Sequence, residues 1–110
     1  MKLRSTLMMS AALALFSLSA QAATPEYHIT IKDHKFEPAT IEIPANTKIK
    51  LIVKNEDATP EEFESHDFKR EKIIAGNSTA KIMVDPLAPG EYKFFGEFNE
   101  KTAQGKLVVK

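Results

Sequence analysis

The sequence has 110 residues, 15 basic and 15 acidic side chains and no cysteine. A chain of this length holds one small domain. The missing cysteine excludes disulfides and thiolate metal sites, and the balanced, dispersed charge leaves no concentrated basic surface for nucleic acid.

Residues 1–22 read as a secretory leader. Lys2 and Arg4 are followed by an uncharged apolar run, Leu7 to Leu18, and by Ala20-Gln21-Ala22, with small residues at the two positions a signal peptidase reads. The run is shorter than the about 20 residues a bilayer span needs. Cleavage after Ala22 is therefore expected. It would deliver residues 23–110 to the periplasm, with 13 basic side chains against 15 acidic ones.

From there the chain alternates with period two, the signature of half-buried strands. Tyr27, Ile29 and Ile31 share one face; Ile41 and Ile43 follow Pro38. Ile49, Leu51 and Val53 alternate with lysines, as do Ala80, Ile82 and Val84 around Lys81; Tyr92 with Phe94, and Leu107 with Val109, complete the series. Pro44-Ala45-Asn46, Ala75-Gly76-Asn77 and Pro89-Gly90 mark turns. Pro60 to Ser65 is compatible with one helical turn, since proline is tolerated at the first helical position. About seven short strands at regular spacing predict an all-β sandwich.

Three stretches carry a family resemblance: Phe36-Glu37-Pro38 with Ile41-Glu42-Ile43-Pro44; Asn55-Glu56-Asp57 with Pro60-Glu61-Glu62-Phe63; and Leu87-Ala88-Pro89-Gly90-Glu91-Tyr92-Lys93-Phe94 leading to Gly105-Lys106-Leu107-Val108-Val109. Over residues 26–110 the sequence resembles the cupredoxins, most closely the periplasmic cupredoxin-like proteins of bacterial ferrous-iron uptake systems. The resemblance implies a Greek-key β-sandwich, with a membrane iron permease or another periplasmic protein of the same system as partner. It also implies where copper ligands would fall. The first histidine falls on Glu61, the cysteine on Gly96, the second histidine on or near Asn99 and the methionine on or near Ala103. None of the four is kept, and a blue copper centre requires the missing thiolate.

Acidic residues crowd the same two loops. Asp57, Glu61, Glu62 and Glu64 precede His66 in the first; Glu97, Asn99 and Glu100 lie in the second. Carboxylates with one imidazole suit iron, manganese or Cu(II) better than Cu(I). The expected ligands are Glu61, Glu62, His66 and Glu97, holding an iron or copper ion if the loops meet. In a regular strand Glu62, Glu64 and His66 share one face, but Phe63 and Phe68 then point apart unless a bulge or a turn intervenes. His28 and His34 read as solvated, and Phe94-Phe95 puts one ring on each side of a strand. No catalytic motif is present, so the chain is expected to act as a metal-binding accessory protein, or alternatively as a metal-free adaptor, rather than as an enzyme on its own.

Overall fold

The computed structural model describes residues 23–110; residues 1–22, on which the leader expectation falls, lie outside them. The strands are β1 (Glu26–Lys32), β2 (Lys35–Glu37), β3 (Thr40–Ile43), β4 (Ile49–Asn55), β5 (Glu61–Ser65), β6 (Arg70–Ile74), β7 (Ser78–Val84), β8 (Gly90–Gly96) and β9 (Gln104–Val109), with a 3₁₀ turn at Glu97–Asn99. They form a four-stranded sheet in the order β2-β1-β4-β7 and a five-stranded sheet in the order β3-β9-β8-β5-β6. Both are mixed: β1 runs parallel to β4, and β3 parallel to β9. The fold is the all-β sandwich the alternation predicts. Two of its elements escape the alternation. β2 is only three residues long, and β6, Arg70-Glu71-Lys72-Ile73-Ile74, is a charged edge strand without alternating apolar residues.

The period-two residues meet between the sheets. Ile29, Ile31, Ile49, Leu51, Val53, Ile82 and Val84 face Ile41, Ile43, Phe63, Phe94, Leu107 and Val109, all buried. Phe63 stacks on Phe94 with centroids 4.9 Å apart, and Phe36 meets both rings edge-on. Such aromatic pairs add to the area they bury.

Two polar anchors shape the end of the sandwich that carries the acidic loops. The Nδ2 amide of buried Asn55 donates to the carbonyls of Thr59, Ile74 and Ala75, at 2.9, 3.2 and 3.3 Å. That ties the β4–β5 loop to the β6–β7 connection. Asp57 accepts the N–H groups of Asp33 and His34, both with positive φ, and so pins the β1–β2 turn.

Residues 60–65 make no helical turn. Glu61–Ser65 pair with β6 and β8 as a strand, because Phe63 and Ser65 have core positions to fill. A tight turn follows, with Ser65 Oγ accepting the N–H of Phe68 at 3.1 Å and donating to the carbonyl of Lys93 at 2.6 Å. This turn, rather than a bulge, returns Phe68 to the core, 6.2 Å from Phe63.

Candidate metal centre

Consecutive side chains of a strand point to opposite faces, and β5 uses this to separate two acidic environments. Glu61, Phe63 and Ser65 face inward; Glu62 and Glu64 face outward.

Glu61 is 2% exposed. Its Oε1 accepts the N–H of Glu62 at 3.0 Å and that of Phe98 at 2.9 Å, and its Oε2 accepts the Nδ2 amide of Asn99 at 2.7 Å. A buried carboxylate is tolerable when donors converge on it in this way. The resemblance puts copper ligands on Glu61 and on or near Asn99, and here these two residues bond to each other. The other two positions are closed as well. A Cβ on Gly96 would lie 2.6 Å from Glu61 Cδ and 2.7 Å from Ala103 Cβ. With no thiolate, and with the carboxylate committed to three donors, these residues do not fit a blue copper ion.

The outer face is different. Glu62 and Glu64 of β5, Glu71 of β6 and Glu97 of the 3₁₀ turn each bring a carboxylate oxygen within 4.8 Å of the others. Register explains the placement: Glu71 lies directly across from Glu64, and Glu97 follows Gly96, whose partner is Phe63. Among the described residues no lysine or arginine pairs with any of the four, and Glu64 Oε1 is buried without a hydrogen-bond partner. The electrostatic consequence is a raised affinity for protons. Desolvation, a hydrogen bond with Glu71 and repulsion from Glu97, Glu71 and Glu64 push the Glu62 carboxyl up to about 7. Glu64 is raised too, first by its hydrogen bond with Glu97, then by desolvation and by repulsion from Glu97 and Glu71, while His66 pulls the other way. Like charges this close favour protonation or an external cation.

Of the four expected ligands, Glu62 and Glu97 belong to this cluster. Glu61 does not, because it points to the other side of β5. His66 sits at the margin, 75% exposed, with Nδ1 3.7 Å from Glu64 and its ring 5.3 Å from Phe95. Its place follows from the turn: β5 ends at Ser65, so His66 does not continue the row of Glu62 and Glu64. Glu64 shares their face as the strand period predicts, whereas Glu71 was not expected. The signal for Glu71 is hairpin symmetry, since Glu64 and Glu71 are equidistant from the centre of the turn. Asp57 is occupied at the β1–β2 turn, with His34 Nδ1 3.5 Å away, and His28 is exposed. Phe94 fills the core while Phe95 lies on the outer face across from Glu64.

Comparison with known proteins places these features. An uncharacterized protein of Rickettsia prowazekii is 54% identical over 84 residues, 76% of this chain and 67% of that protein. Auracyanin A, a blue copper protein from Chloroflexus aurantiacus, superposes with a TM-score of 0.69 at 16% identity, covering 80% of this chain and 100% of that one. The metal-binding domain of a Cu(I)-exporting P-type ATPase from Streptococcus pneumoniae gives 0.69 at 15% identity, covering 84% of this chain and 91% of that one. At such identities the likeness is one of fold. The cupredoxin-like domain model matches residues 5–109, and the chain belongs to that family.

Proposed function

We propose that this chain is a periplasmic metal-binding accessory protein of an iron-uptake system, taking its ion on the outer face of β5 and β6 rather than in the interior position of the blue copper proteins. The observation that carries the reading is the set of four carboxylates, from three separate elements, within 4.8 Å of one another, with no lysine or arginine paired to any of them among the described residues. All-oxygen donors match Fe(II), Fe(III) or Mn(II), with Cu(II) as the softer limit. His66 would supply a further imidazole by rotating towards Glu64. The leader pattern supports the periplasm, and the resemblance to iron-uptake cupredoxins supports a membrane iron permease as partner. Redox chemistry would be shared with that partner, because one surface site offers no electron route of its own.

The test is calorimetric titration of residues 23–110 with Mn(II), Cu(II) and, anaerobically, Fe(II). Binding tighter than roughly millimolar is expected, and the Glu62→Gln, Glu64→Gln, Glu71→Gln, Glu97→Gln quadruple variant should abolish it. Equal heats from the two proteins would sink the reading.

One observation favours a second reading, a metal-free adaptor. Ile73 is 61% exposed directly across from Glu62, and Phe98, next to Glu97, is 49% exposed. Apolar side chains beside unbalanced charge are features of binding surfaces. Under this reading the quadruple Gln variant retains its cellular function.

A further inference from the structure

The Glu61 carboxylate touches both segments that carry the outer cluster. Its single Oε1 atom accepts the N–H of Glu62, in β5, and the N–H of Phe98, the residue after Glu97. Its other oxygen holds the Asn99 amide. The backbone of Glu62 and the backbone beside Glu97 are therefore fixed to one buried point, while their side chains leave towards the opposite face. A side chain at Gly96 would displace Glu61 from this point.

From this geometry we infer that Glu61 is a positioning residue: the Glu61–Asn99 clasp sets the spacing between Glu62 and Glu97 and so assembles the outer carboxylate cluster. Where a copper ion would join these two loops, a carboxylate and an amide join them here, and the acidic group available to a cation is displaced by one residue along β5. One residue is enough, because it reverses the face. The use of that spacing for a metal rests on the function proposed above; the clasp itself does not.

The variants follow from the atoms. Glu61→Ala removes all three acceptor contacts. Glu61→Gln keeps Oε1 for the two backbone donors but sets an amide against the Asn99 amide. Glu61→Gln combined with Asn99→Asp restores the clasp with donor and acceptor exchanged and the formal charge unchanged. Titration of wild type and variants with Mn(II) should show a loss of about 10–100-fold for Glu61→Ala, the usual scale for groups that orient metal ligands, and recovery in the exchanged double variant. A general loss of stability cannot produce that recovery without the clasp. Amide hydrogen exchange supplies a readout without metal. The Phe98 N–H should be protected in wild type and in the double variant and exchange freely in Glu61→Ala, with β4 and β7 amides unchanged.

Wild-type Mn(II) affinity in a folded Glu61→Ala, with Phe98 still protected, overturns the inference. If wild type takes no Mn(II), the metal reading fails alone, and Phe98 exchange decides the positioning role. If Glu61→Ala does not fold, Glu61→Gln and the double variant carry the same comparison.

Discussion

The two faces of β5 hold the same chemical group under opposite rules. Inside, Glu61 is buried and receives three N–H donors. Outside, Glu62, Glu64, Glu71 and Glu97 keep contact with water and, among the described residues, pair with no lysine or arginine, while the buried Oε1 of Glu64 lacks a hydrogen-bond donor. The more buried carboxylate is the one whose donors are supplied. The inner acid is satisfied by its own chain, with three N–H donors on its two oxygens. Among the outer acids, Glu62 and Glu64 favour holding a proton or taking an ion from outside.

Substitutions along β5 measure that division. Phe63→Ala, on the inner face, removes a ring that contacts Phe36, Phe68 and Phe94. It should cost about 3–5 kcal/mol in urea unfolding, a large part of the stability of an 88-residue domain. Glu61→Ala should cost less, about 1–3 kcal/mol, the scale for orphaned buried polar groups. Glu62→Ala, one residue away, should not destabilise at pH 8, because it relieves repulsion. An equal loss at residues 61 and 62 would erase the distinction between the faces.

The strands of this fold are legible in the sequence because burial between two sheets imposes period two, and Ile49, Leu51 and Val53 or Ala80, Ile82 and Val84 obey it openly. The acidic end is only half legible. Glu62 and Glu97 could be named from their loops, but the role of Glu61 depends on its facing inward, and period two does not say which of two adjacent glutamates does so. Phe63 does say it: the ring must enter the core, so Glu61 enters with it and Glu62 leaves. Glu71 was hidden for another reason. Its strand is an edge strand, with Arg70 held to the carbonyl of Met83 at 2.7 Å and Lys72 exposed, so no apolar rhythm marks it. Only the turn at 66–69, with Lys69 at positive φ, brings it opposite Glu64.

Acidity separates the outer cluster from the anchors in a second way. The native state holds a proton on Glu62 up to about pH 7, whereas the unfolded chain releases it near its ordinary value of 4.5. Between those values the folded state binds more protons, so the Glu62 contribution is fully present below 4.5 and is lost as the pH rises through 7. Asp57 behaves oppositely. The backbone N–H of His34 holds its carboxyl below the ordinary value of 3.8, with burial opposing, so its contribution is present above 3.8 and is lost as acid titrates the folded group. Urea midpoints should therefore fall from pH 5 to pH 8, and fall separately below pH 4. Glu62→Gln should flatten the first slope and leave the second. Asp57→Asn should do the reverse. A first slope that survives Glu62→Gln would assign it to another group.

The smallest expected effect is the most specific to the outer face. Glu71 lies directly across from Glu64 on neighbouring strands, and like charges in that position destabilise the pair. Glu71→Gln keeps the shape of the side chain and removes one of the four charges, so the metal-free domain should become slightly more stable at pH 8, by roughly a tenth of the Phe63 loss. The same change should bring the Glu62 titration down towards 4.5, because Glu71 raises it both by hydrogen bonding and by repulsion. Stability and ligand capacity then move in opposite directions at one residue, since Mn(II) affinity should fall as the fold gains. A Glu71→Gln variant that loses stability at pH 8 would mean that this acid supports the sheet, and the cluster would lose the strain that makes it receptive to a cation.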